Sequence, residues 1–231
     1  MSFPPFGRRC PLFALVGGLV AALSVAGCTK QRPLHILHAD AANAAKFGNP
    51  EVARTDYEEY ITRKPDDPEK RYEYAQVLMK IGDYRNAIEE LNIACDVDPT
   101  NDKYLDAYAE ALFAANERDA LTTNLTRATL ERGRASDFTR LGEFSSRMGN
   151  VDEAQQAFLT AAKLDQGRTV GPQLRLAEFY GAMGDRSRQV RRLRMAYAIA
   201  PENPEVWSKA RELGEVPGPS FGLMPAEAIV Q

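Results

Sequence analysis

Residues 68–101 read PEKRYEYAQVLMKIGDYRNAIEELNIACDVDPTN, and their spacing decides the fold. Tyr74, Ala75 and Leu78 fall on one face of a first helix. Ala87, Leu91 and Ala94 share a face of a second helix, at i, i+4 and i+7. Gly82-Asp83 marks the turn between the two, and Pro99 stops the second. The small residues Ala75, Ala87 and Ala94 sit where two helices have to approach closely, with larger neighbours filling the gaps. Neither helix covers its apolar stripe alone, so the pair needs other pairs beside it.

Other pairs are present. Turn residues recur at Gly48, Gly82, Asn116, Gly149 and Gly184, in steps of 34, 34, 33 and 35. Closing prolines recur at Pro65, Pro99 and Pro201, separated by 34 and then by 102, three times 34. Two independent markers thus stay in phase over five units, at 34–67, 68–101, 102–134, 135–169 and 170–203. The pattern resembles the tetratricopeptide repeat through Arg71-x2-Tyr74-Ala75-x2-Leu78, Ala87-x3-Leu91 and Pro99. Arg71 departs from it, standing where an aromatic residue or Leu is usual. The resemblance implies an all-α, right-handed superhelical solenoid of about five helix-turn-helix units over 34–214, closed by a capping helix at 204–214.

Individual units depart from the pattern. In the third, Leu121 stands where a small residue is expected and Gly133 replaces the closing Pro, which predicts a helix pair with locally altered packing. The fourth closes through Asp165-Gln166-Gly167, and the fifth carries Gln189 at the small position. Trp207 is expected to plug the last repeat. Residues 215–231, with Pro217, Pro219, Pro225, Gly218 and Gly222, read as a disordered tail. The alternative is that Phe221, Leu223 and Met224 dock on a partner or on the chain's own groove.

The start of the chain has a different character. Arg8 and Arg9 precede an uncharged run from Pro11 to Gly27, closed by Val25-Ala26-Gly27-Cys28. A basic stretch, an apolar stretch and a small-residue cleavage site form an export signal over 1–27. Cys28 after Val-Ala-Gly resembles the bacterial lipobox, which implies lipidation of Cys28 and a mature chain beginning there. An uncleaved anchor helix and an ordinary cleaved signal remain the alternatives. Residues 28–33 then form a short tether to the membrane. Five extended residues reach at most ~18 Å, which keeps the repeats near the lipid surface. Thr29, in place of an Asp, leans toward the outer membrane facing the periplasm within a bacterial cell envelope.

Cleaved before Cys28, the chain has 27 basic and 32 acidic residues and a formal charge of −5, which argues against a nucleic-acid binder. Cys10 leaves with the signal and Cys28 carries lipid, so Cys95 has no partner for a disulfide and reads as a small core residue. His35 and His38 lack the companions of a metal site and read as an exposed polar face. Asp96, Asp98 and Asp102 lack the Gly and the final Glu of a calcium loop. No convergent acids, bases or nucleophiles and no phosphate-cradling loop are found, so neither an enzyme nor a cofactor is expected. The run Arg186, Arg188, Arg191, Arg192, Arg194 reads as a solvated face, or as a contact for an anion.

What remains is the trough that the resemblance implies along the first helices of the units. It would present Tyr72, Gln76, Met79, Lys80 and Lys103 in its nearer part. Asp106, Glu110, Phe113, Glu143, Arg147 and Glu178 follow in its farther part, which is the more acidic, with His38, Thr139 and Leu174 also on this face. Tyr72, Met79 and Phe113 suit an apolar anchor for a peptide, and replacing all three is expected to abolish capture while sparing stability. The expected function is that of a lipid-anchored scaffold or adaptor binding a protein or peptide partner. A structural spacer without a groove ligand is the alternative. A metal-site protein or enzyme comes last.

Overall fold

A computed structural model describes residues 31–228, so the leader at 1–27 and Cys28 lie outside the described residues. Eleven helices and no strand occur among those described. Five pairs follow one another: α1 (Leu34–Lys46) with α2 (Pro50–Arg63), α3 (Pro68–Lys80) with α4 (Tyr84–Val97), and α5 (Asp102–Ala114) with α6 (Arg118–Glu131). Then come α7 (Ala135–Arg147) with α8 (Val151–Asp165), α9 (Gly171–Ala182) with α10 (Arg186–Ile199), and the single α11 (Pro204–Glu212).

The chemistry of each start and stop is local. Asp67 and Asp83 accept from the backbone N–H of Lys70 and Asn86, which closes the exposed donors of α3 and α4. Between them Gly82 takes φ +83°, and Asp83 N–H returns to Leu78 O at 2.9 Å. Asn116 makes the same left-handed turn at φ +61°, being the side chain that tolerates it best after glycine.

Packing explains the period. Tyr57, Leu91, Leu125, Phe158 and Leu193 occupy equivalent places in the five second helices, and all are buried. Full burial of one such leucine contributes about 2 kcal/mol. Stacked units share these faces, so the core runs along the chain instead of gathering at one centre. The third pair is the thinnest-packed, as Leu121 led us to expect: its side chain is fully buried where Ala53, Ala87 and Ala154 stand in other units. In the fifth pair Gln189 replaces the small residue and Gly181 faces it. A Cβ on Gly181 would run into the Gln189 amide, so the small residue has changed helix.

Arg71 fits as a buried charge. Its Nε donates to Pro65 O at 2.8 Å and its guanidinium pairs with Glu90 on α4. Where the third unit lacks its Pro, a cluster closes the turn. The fully buried carboxylate of Asp137 accepts from Arg132, Arg134 and Arg140, and from the Arg134 N–H at 3.2 Å.

Two expectations are corrected. Trp207 is not the plug: Val206 and Ala210 are the buried residues of α11, and Trp207 lies half-buried, donating through Nε1 to Pro201 O at 2.6 Å. The tail is irregular as expected, but residues 215–228 are not detached. Pro217, Phe221 and Pro225 are buried, Phe221 against Tyr197 and Arg194 of α10 and Pro225 beside Gly167.

Candidate functional site: the trough along the first helices

The first helices of the last three units, α5, α7 and α9, line an open pocket of ≈ 530 Å³. Asp106 and Glu110 come from α5, Glu143, Phe144 and Arg147 from α7, and Arg175, Glu178 and Phe179 from α9. Phe144, Phe158 and Phe179 form its floor, all at most 5% exposed. A smaller hollow of ≈ 360 Å³ shares Asp106, Glu143 and Arg175 and extends to Asp102, Thr139 and Arg140. The trough of the last three units is therefore continuous.

Its walls are held by polar ties about one period apart. Asp106 meets Arg140 at 2.6 Å, Glu110 meets Arg147, and Glu143 meets Arg175 at 3.4 Å. Glu178 continues the ladder to Lys209 of α11 at 2.7 Å, while also accepting from Arg175 at 3.0 Å. In the first units Glu73 accepts from His38 at 2.7 Å and Glu69 from Tyr104 at 2.8 Å, each across 35 residues. His38 is thus no loose polar residue. Apart from Arg175 to Glu178 within α9, each tie joins one first helix to the next or to α11.

The ties also set its ionisation. Bonding from Arg147 holds the Glu110 carboxyl below the usual range. Burial alone would raise the Glu178 carboxyl, but donors from Lys209 and Arg175 outweigh it and hold it low. The same competition, between burial and the bonds from Lys70, His38 and Tyr57, keeps Glu73 low. All three are carboxylates near neutral pH.

Of the residues expected in the trough, Asp106, Glu110, Glu143, Arg147 and Glu178 converge on the pocket. Gln76, Lys80 and Lys103 are exposed on α3 and α5, outside it. Tyr72, Met79 and Phe113, expected as an apolar anchor, are each half-buried and packed against neighbours. Tyr72 packs against the Tyr104 ring at 5.4 Å, and Met79 joins the core of the first units. Phe113 lies beneath the Arg147 guanidinium, 4.0 Å from the ring centre, with Phe144 beside it. These side chains are large enough to reach neighbouring units, and all three stay partly exposed. Arg140, Arg175 and Lys209 were missed, as was the aromatic floor. The cations were visible as opposite charges one period away, Asp106 to Arg140 being 34 apart.

Cys95 is half-buried, and burial pushes its thiol up to about 11. No group of three or more His, Cys, Asp or Glu is placed to hold a metal among the described residues. Nor is any described helix long and apolar enough to cross a membrane.

A family model described as tetratricopeptide repeat matches residues 71–101 and 138–168. Two segments of this chain match the tetratricopeptide repeat. The matched segments are the second and fourth helix pairs, those nearest the standard pattern, and such repeats are protein-interaction scaffolds. Among solved structures, a thermophilic tetratricopeptide protein from Thermus thermophilus superposes with a TM-score of 0.54 at 20% identity, covering 78% of this chain and 98% of that one. A MamA protein gives 0.51 at 21% identity, covering 80% and 98%. MamA from Desulfovibrio magneticus RS-1, from residue 41 to its end, gives 0.51 at 15% identity, covering 74% and 97%. At these identities the likeness is one of fold alone. No curated protein sequence matches the chain.

Proposed function

We propose that this protein is a lipid-anchored scaffold of a bacterial cell envelope, holding a segment of a partner protein in the trough of its tetratricopeptide repeats. The observation that carries the reading is the pocket between α5, α7 and α9, where an aromatic floor lies under a charged rim. The rim supplies Asp106, Glu110, Glu143 and Glu178 against Arg147 and Arg175. Arg140 and Lys209 complete the set of cations, so the rim alternates in charge and suits a segment carrying charged groups beside an apolar side chain. The anchor rests on Arg8, Arg9, the apolar run to Gly27, and Cys28 after Val-Ala-Gly. Thr29 favours the outer membrane, on its periplasmic side.

Cross-linking in the native envelope, followed by identification of the captured protein, tests the scaffold. Asp106→Asn, Glu110→Gln and Glu143→Gln together should cut capture at least tenfold with helicity retained; unchanged capture would refute trough binding. For the anchor, Cys28→Ser should move the protein to the soluble fraction. A mature protein with an intact, unacylated leader would refute lipidation, and separation of the two membranes by density assigns the side.

One observation favours a structural spacer instead. The ladder pairs each trough acid with a neighbouring cation, leaving no bare charge on the rim. Cross-linking that enriches no protein while the solenoid is intact would decide for the spacer.

A further inference from the structure

Arg192 and Arg194 of α10 and the residues near the C-terminus have no part in the trough, and the structure pairs them with each other. Arg194 brackets the segment: its Nε donates to Phe221 O at 2.8 Å, and its own carbonyl accepts from Leu223 N–H at 3.0 Å. The Phe221 ring meets Tyr197 edge-on at 5.5 Å and is 7% exposed. Six residues on, Glu227 meets Arg192 at 2.6 Å and accepts from the Gln173 amide at 3.2 Å. Arg192 and Glu227 are 12% and 13% exposed, so this is a sheltered pair.

The repeat register shows why Arg192 needs an outside partner. Arg192 lies 102 residues after Glu90, and Gln173 lies 102 after Arg71, three periods in each case. In the second unit the pair is Arg71 with Glu90, charge against charge within one helix pair. In the fifth it is Gln173 with Arg192, which leaves one positive charge over, and Glu227 answers it. The core of the fifth unit is nevertheless complete without the segment. Leu174, Ala177, Leu193, Ala196 and Val206 form it, and no residue beyond 214 takes part. If the segment left, Arg192, Arg194 and Gln173 would face water and hydrate.

We propose that this face of α10 is a second docking site, for an irregular, turn-containing protein segment carrying an aromatic side chain and, six residues on, a carboxylate, and that residues 215–228 occupy it as an internal competitor. The segment has the character of a bound peptide. It forms no helix or strand, and it is gripped by one ring, one carboxylate and two main-chain groups. It leaves α11 through Gly214 at φ +75°, then passes Pro217 and Pro219. None of the gripping residues lines the trough, so this site stands or fails independently of the trough reading.

The test uses the full chain carrying Phe221→Ala and Glu227→Ala, which loosens the internal segment. The probe is a fluorescent peptide of sequence EVPGPSFGLMPAEA, residues 215–228. Anisotropy should show one peptide bound per loosened chain. The unmodified chain should bind about tenfold more weakly or worse, because a tethered competitor acts at roughly millimolar effective concentration. Adding Arg192→Glu to the loosened chain should abolish binding, and a probe with Glu227→Lys should restore it. No binding by a loosened chain of normal helicity would overturn the proposal. So would equal binding by both chains, or binding indifferent to Arg192→Glu.

Discussion

Gly142→Ala tests the packing rule that shapes the trough. Alanine stands at the equivalent place in the other four units, as Ala41, Ala75, Ala109 and Ala177, so the change looks harmless in the sequence. By helix propensity alone it should stabilise α7 by about 0.8–1.0 kcal/mol. The structure reverses the sign. A Cβ on Gly142 would lie 2.8 Å from two atoms of the Phe158 ring and 2.9 Å from a third. Phe158 is 4% exposed and meets Phe179 at 5.6 Å, so the ring can yield only by leaving that packing. Overpacking of this kind costs about 1–3 kcal/mol. The net effect is a loss of about 1 kcal/mol, or roughly 2–4 °C in Tm for a protein of this size. In a Phe158→Leu background, matching Leu91, Leu125 and Leu193 of other units, the clash is gone and the same substitution should stabilise by about 1 kcal/mol. Urea and thermal unfolding of the four proteins measure this coupling. A rise in Tm for Gly142→Ala in the unmodified chain would refute the reasoning.

Asp137→Ala removes the buried acceptor shared by Arg132, Arg134 and Arg140, of which the last two keep Asp102, and should cost about 1–3 kcal/mol, read from urea unfolding. Burial pushes the Asp137 carboxyl up, but the bonds from Arg134 and Arg132 outweigh that and hold it below the usual range. A depressed folded value means the stabilisation is whole above the unfolded value, about pH 4, and is lost as pH falls through the folded one; Asp137→Asn should flatten that acid limb of Tm against pH. Tyr72, Met79 and Phe113 changed together to Ala should lower Tm by several degrees, because all three bridge neighbouring units; an unchanged Tm would contradict the packing seen here. Cys95, with its thiol at about 11, should alkylate at pH 8 far more slowly in the folded than in the urea-unfolded protein, as mass spectrometry of the modified peptide can show.

The helices, their turns and their phase could be read from residue types because each depends on neighbours within one repeat. Gly82 needs only its own positive φ, and Leu91 needs only to recur in register. The acidic half of the trough could be read the same way, since Asp106, Glu110, Glu143 and Glu178 hold equivalent faces of successive first helices. The availability of a side chain could not. How much of Phe113 stays open depends on Arg147, 34 residues later, and a pattern of types does not say which of two neighbours lies on top.

The far end of the chain separates the two kinds of information most clearly. Proline and glycine at 217–225 forbid regular structure, a local matter of φ and missing N–H groups, and that reading stands. Whether an irregular segment stays in solvent or settles is a balance between ordering entropy and the partners it can reach. Those partners, Arg192, Arg194 and Tyr197, lie on a helix that precedes the segment by about 30 residues and come within range only when α11 turns the chain back. Composition fixes what a segment cannot form, whereas three-dimensional proximity settles what it touches.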